Sequence, residues 1–313
     1  IYFTILEKGK GKFVKLGDIA EVRFGIKTGA NEFFYVEDVT DKIDFISIKD
    51  KIVNLKEIKS IDDIKRKNLR IIRNTKTSDY WLIEEEFLKP VIKSPRECKS
   101  IIIKPEDLKY KVIMCHKSKD ELKNENAFIL EYIEWGEKEG FNDNPTCRNR
   151  KYWYLLSTPK ISYIKHPIFI NDRFAFYKTE IFCDAELYDI YVQNFIDIGK
   201  LILILNSTIT YKFMEIITRS VGGGALKIQV YESLKIHIIN PLLNIEFNSK
   251  AKEILYRPIQ SIFVELGFDP DKPIREQKPN PLPDRKELDD IIFDALGLTE
   301  DERKEVYWAV AEL

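Results

Sequence analysis

The side chains able to do chemistry fall into three groups along the 313-residue chain. The first is an acid, acid-x-Lys pattern, Asp79 followed by Glu97-Cys98-Lys99, in the style of nucleases whose carboxylates hold Mg²⁺. In a sequence with 32% charged residues such a triplet arises by chance, and charged side chains are mostly solvated. The second group is cysteine. Cys98, Cys115, Cys147 and Cys183 are 17, 32 and 36 residues apart with no Cys-x-x-Cys pair. That spacing predicts reduced, buried thiols in a cytoplasmic protein rather than a structural zinc site. The third group is cationic. Residues 59–76 carry seven Lys or Arg against Asp62 and Asp63, and residues 146–178 carry seven against Asp172 alone. The second window is interleaved with Tyr152, Trp153, Tyr154, Tyr163 and Phe169. Cations on a strand-rich platform neutralise phosphates, and aromatics and Arg contact bases; the same composition also suits a solvated face whose aromatics belong to the core.

Several chemistries find no support. Gly9-Lys10-Gly11 and Gly222-Gly223-Gly224 lack the strand, the stagger and the downstream acid of a dinucleotide or S-adenosylmethionine loop. There is no Walker A, His-Glu-x-x-His or Gly-x-Ser-x-Gly sequence, and only His116, His166 and His237 are present for acid–base work. Asp143-Asn144-Pro145-Thr146 reads as a turn. The longest apolar runs, such as Leu201–Leu205, are too short to span a bilayer, so no membrane partner is expected. The start at Ile1, without Met, predicts a piece of a longer protein.

The elements that must position these residues are mixed. Strand patterns cover 13–24, 32–36, 69–72, 100–104, 111–115, 160–164, 173–177, 187–192, 227–231 and 235–239. Helix signals occupy 60–67, 118–136 and 198–219, the last broken near Asn206-Ser207. After Asn240-Pro241 the chain turns helical, with a capping box at Thr299 and Glu302 and a helix stop at Gly297. Charge changes at the same place: residues 1–242 hold 40 basic and 35 acidic side chains, residues 243–313 hold 10 and 16. These features predict an α+β architecture, a mixed-sheet domain over 1–242 followed by an acidic helical segment over 243–313 that packs against another domain or subunit.

Four stretches then carry a family likeness. They are Leu16–Val22 with Phe24-Gly25-Ile26-Lys27-Thr28-Gly29-Ala30-Asn31-Glu32-Phe33-Phe34; Leu88-Lys89-Pro90-Val91-Ile92-Lys93-Ser94; Leu205-Asn206-Ser207 leading to Arg219-Ser220-Val221-Gly222-Gly223-Gly224-Ala225-Leu226-Lys227; and Arg285–Asp289 with Phe293–Thr299. In this order they resemble the target-recognition domain of type IIG restriction-modification enzymes and related adenine-N6 DNA methyltransferases, the TaqI-like C-terminal specificity domain. The resemblance implies a module that recognises double-stranded DNA without modifying it alone. In full-length relatives a methyltransferase domain with its S-adenosylmethionine loop precedes this region, and this chain contains neither. A separate specificity subunit docking onto a methyltransferase, and a Mg-dependent nuclease built on Asp79, Glu97 and Lys99, remain as alternatives. By the resemblance, Lys27, Thr28, Asn31, Arg148, Arg150, Lys165, Arg173, Arg219, Gly222, Gly223 and Lys227 are the expected DNA contacts. Locally, Gly25 and Gly29 turn the backbone so that Lys27 and Thr28 either meet a phosphate or tie two strands together. Asn31 reads a base or bonds its own loop.

Overall fold

The computed structural model describes residues 1–222 and 225–312. Its largest sheet is six-stranded, in the order Phe182–Cys183, Leu88–Ile92, Tyr110–Ile113, Tyr35–Asp38, Leu69–Asn74 and Tyr80–Glu84. All pairings are antiparallel except that of Phe182–Cys183 with Leu88–Ile92. Helix Ile129–Lys138 buries Ile129, Tyr132 and Ile133 against it. The short helix Ile61–Arg66, capped by Ser60, closes a smaller cluster over Leu69, Ile71 and Leu82.

A second, four-stranded antiparallel sheet runs Tyr177–Lys178, Ile164–Pro167, Leu187–Val192, Ala20–Phe24. Val22 and Ile190, paired in register, face the core formed with helices Ile198–Leu205 and Thr208–Ile217. Asn206 separates those helices because its side chain takes over backbone partners: it accepts from Phe176 N at 3.0 Å and donates to Phe176 O at 3.1 Å. Ser207 then caps the second helix. Among the described residues no helix is long and apolar enough to cross a membrane.

Several strand expectations are replaced by finer structure. The 13–24 run is interrupted by a helical turn at Leu16–Ile19, 32–36 starts as the helical turn Asn31–Phe34, and 100–104 makes isolated bridges only. Polar Gly17, Asp18 and Asn31 favour turns locally, and a propensity average over the surrounding valine, isoleucine and phenylalanine overrides that signal.

The segment 243–313 has no core of its own. Leu288, Ile292, Phe293, Val306 and Val310 join the cluster that contains Leu201, Ile209 and Met214. Buried Asp289 accepts from Thr208 N at 2.8 Å and from the Thr208 hydroxyl at 2.6 Å. Arg285, also buried, binds Glu265 at 3.1 Å, and Arg257 clamps the same carboxylate through two contacts of 2.7 Å. The composition change near 242 therefore marks a surface charge boundary that does not coincide with a break in the core. Three of the segment's carboxylates, Glu265, Asp284 and Asp289, are turned inward and meet buried or half-buried partners.

Candidate nucleic-acid interface

The Gly25–Asn31 loop sits where the two large sheets meet. Ile26 N donates to Cys183 O at 2.7 Å and Ala185 N to Ile26 O at 3.1 Å, so the loop stitches strand Ala20–Phe24 to the edge of the six-stranded sheet. Gly25 is required for that approach: a Cβ there would lie 2.4 Å from the carbonyl oxygens of both Cys183 and Asp184. Gly29 adopts φ +74°, and a Cβ on it would strike Thr146 at 2.6 Å. The Arg150 guanidinium closes the loop from outside, donating to the carbonyls of Lys27 at 2.9 Å, Thr28 at 2.7 Å and Trp153 at 3.2 Å. Thr28 is buried; its hydroxyl accepts from Ala30 N at 3.2 Å and donates to the Asn31 side chain. Of this group only Lys27 and Arg148 present an exposed charge without a carboxylate partner among the described residues. Thr28, Asn31 and Arg150 shape the loop that carries Lys27.

A small ribbon forms the second part. Strand Leu226–Lys227 pairs with Arg219–Ser220 on one side and with Phe169–Ile170 on the other. The register places Arg219, Lys227 and Phe169 in one row, hence on one face. Arg219 donates from Nε to Glu232 Oε1 at 2.9 Å and from Nη2 to the Tyr231 hydroxyl. Glu232 is itself fixed by Gln229 N at 2.8 Å and held below its ordinary pKa by its hydrogen-bond donors, which outweigh burial. Gly222 has φ +92° at the exposed turn of this ribbon, and Gly223 lies outside the described residues.

Tyr188 connects the two parts. Its hydroxyl donates to Ile228 O at 3.0 Å, and its ring packs edge-on against Phe24 at 5.1 Å. Phe24 in turn lies beneath the Lys27 ammonium at 4.3 Å. A similar pairing repeats along the face: Lys227 over Phe169 at 5.2 Å, and Lys235 and Arg219 over Tyr231 at 5.5 and 5.8 Å. These rings are large and exposed, Phe24 at 42%, Phe169 at 53% and Tyr231 at 48%. Each exposed cation–π contact is worth about 0.5–1 kcal/mol, a modest bias toward contact that leaves the ammonium accessible. The surface thus offers cations for phosphates beside aromatic rings for sugars and bases.

Other expected contacts lie elsewhere. Lys165 is not a surface cation: it is buried, donates to Ser162 O and Oγ at 3.0 Å each, and pairs with buried Asp189 across the sheet. A charged residue in each of two otherwise apolar strands, Ile164–Pro167 and Leu187–Val192, was the available sign of this partnership. Arg173, by contrast, is exposed in a cleft that it shares with Arg96 and with Phe169 of the ribbon, so it borders the same face. The 59–76 window is partly neutralised, Arg70 by Glu85 at 2.6 Å, Arg73 by Glu37 at 2.5 Å, Arg66 by Asp63 and Lys76 by Glu32 at 3.5 Å, while Lys59, Lys65 and Lys67 are exposed without a carboxylate partner among the described residues. Asp79 immediately precedes strand Tyr80–Glu84 and Glu97 follows strand Leu88–Ile92, and these strands are four ladder steps apart, on the order of 19 Å. Glu97 accepts from Lys93 N and Ser94 N, and Lys99 donates to Arg96 O, so no nuclease site assembles from these residues. Phe24, Tyr231 and Lys235 were not anticipated, because side-chain exposure on a strand end or a short helix leaves no periodic signature.

The fold is α+β with mixed sheets, and it matches a solved one. The crystal structure of the type IIG restriction endonuclease BpuSI superposes with a TM-score of 0.56 at 10% identity, over 99% of this chain and 32% of that one. Residues 67–260 match the family described as the C-terminal domain of type II methyltransferase M.Eco57I, and the chain belongs to that family. The structure of the type IIL restriction-modification enzyme MmeI in complex with DNA gives a TM-score of 0.44 at 13% identity, over 96% of this chain and 36% of that chain. This chain spans about a third of the length of either solved protein. No protein of curated function matches it in sequence.

Proposed function

We propose that the chain is the double-stranded-DNA target-recognition domain of a type IIG restriction-modification adenine-N6 methyltransferase. It works with a methyltransferase domain or subunit, where S-adenosylmethionine would bind. One observation carries the reading: a surface on which three exposed rings, Phe24, Phe169 and Tyr231, each lie under an accessible cation. Membership of the M.Eco57I C-terminal family supports the methyltransferase context. Lys27, Lys227 and Lys235 contact phosphates, Arg148 extends the track past the Gly25–Asn31 loop, and the rings pack on sugars and base edges.

Fluorescence anisotropy of this chain with a labelled random-sequence duplex tests the reading. Affinity should fall with salt at a log–log slope of roughly −0.9 per phosphate contact. Charge reversal of Lys27 together with Lys227 should flatten that slope by about two contacts' worth. No binding at low salt, or a slope indifferent to the reversal, would remove this face from the account.

A further inference from the structure

Arg219 differs from every other cation on the face. Lys27, Lys227 and Lys235 have no carboxylate within ion-pair distance among the described residues, whereas Arg219 Nε is bound to Glu232 and one Nη2 hydrogen to Tyr231. Its side chain is nevertheless 64% exposed. Nη1 has no partner among the described residues, so the guanidinium is gripped along one edge and open along another. Glu232 is buried and braced by Gln229 N, so the grip is rigid.

This arrangement suits a base better than a phosphate. A carboxylate at 2.9 Å cancels most of the charge that a phosphate would feel, and it repels an approaching phosphate oxygen. Base reading depends on oriented N–H groups, and the outer edge of a guanidinium matches the O6 and N7 acceptors of guanine. Holding the fork in place before contact also lowers the conformational entropy lost on binding. The support is appropriate too: Arg219 stands on the edge strand of a narrow three-stranded ribbon, and paired strands can present side chains to the major groove. Resting on the DNA-recognition reading above, we propose that Arg219 is a specificity-determining residue that reads a guanine. Glu232 and Tyr231 act as positioning residues, and the unpaired lysines supply the sequence-independent phosphate contacts.

The test is selection of this chain from a random duplex library, repeated for Arg219→Ala, Arg219→Lys and Glu232→Gln, with salt slopes measured for each protein. The proposal expects a wild-type motif with a G·C pair at one position whose preference falls roughly 5- to 150-fold in Arg219→Ala, the value of a good bidentate contact. Arg219→Lys keeps the charge, loses the fork and should show the same loss at that position. Glu232→Gln should weaken the same preference while binding a random-sequence duplex at least as tightly as wild type. Positions elsewhere in the motif and the Arg219→Ala salt slope should stay unchanged. A motif that survives intact in Arg219→Ala, or uniform weakening with the slope reduced by about 0.9, overturns the assignment and leaves the recognition reading standing. A wild-type chain that enriches no motif overturns the recognition reading itself, and this assignment with it.

Discussion

Lys165 and Asp189 give the sharpest separation between a structural charge and a DNA contact. Both are buried on adjacent strands, and the lysine ammonium has three partners, all internal. Lys165→Met leaves an uncompensated buried carboxylate and should destabilise the chain by about 3–5 kcal/mol, as should Asp189→Leu for the opposite charge. Replacing both removes two desolvation penalties together, so the double variant should return to within about 1 kcal/mol of wild type or exceed it. Urea unfolding reads this directly. With a slope near the upper end of about 1–3 kcal/mol/M, expected for a chain of this size, each single variant should unfold roughly 1–1.7 M earlier and the double variant close to wild type. The salt slope for duplex binding by the folded protein should be the same in all four. Single variants losing less than about 1 kcal/mol, or a double variant as unstable as the sum of the singles, would refute the buried-pair reasoning; a reduced slope in Lys165→Met would restore this residue to the DNA surface.

Other expectations follow from local geometry. Gly25→Ala should lower stability by about 1–3 kcal/mol, because its Cβ would meet two backbone carbonyls that cannot move away cheaply; a thermal midpoint equal to wild type would contradict the seam described here. His166 is buried against Phe176 with Nε2 unpartnered, and burial pushes its pKa down to about 3. The folded state therefore refuses a proton that the unfolded chain takes up below about 6.5, so stability is full above that pH and declines as pH falls toward 3, by up to about 1.4 kcal/mol per unit. His166→Phe should flatten that decline between pH 6 and 4, and an unchanged pH profile would show that another group causes it. Reversing Lys65 and Lys67, exposed lysines of the first basic window with no carboxylate partner among the described residues, should leave duplex affinity within about twofold if the DNA track is the face of Lys27, Lys227 and Lys235.

Much of the architecture could be read from the chain itself where one local signal dominated. The Ser60 cap, the break at Asn206-Ser207 and the Thr299 capping box all fall where the side-chain chemistry places them. The α+β class was likewise legible, as was the family likeness, whose Arg219–Lys227 segment lies within the matched residues 67–260. Pairing was not. The net charge of residues 59–76 gave no warning that Arg70 and Arg73 would meet Glu85 and Glu37 from other strands. Similarly, an acidic count over 243–313 suggested an outward surface, whereas Glu265, Asp284 and Asp289 are turned inward to arginines and Thr208. Within the expected site, Arg150 turns inward to the carbonyls of Lys27 and Thr28 while the Lys27 side chain stays exposed, a distinction that depends on which side chain faces carbonyls. Sequence spacing carries no such directional information.

The most direct test of the account is to map where DNA lies on the chain, using duplexes in which thymine is replaced by photoactivatable 5-iodouracil, followed by mass spectrometry of the cross-linked peptides. Cross-links are expected at Phe24, Phe169 or Tyr231, the rings beneath Lys27, Lys227 and Lys235. Cross-links confined to residues 59–76 or 243–313, with none at those rings, would contradict it.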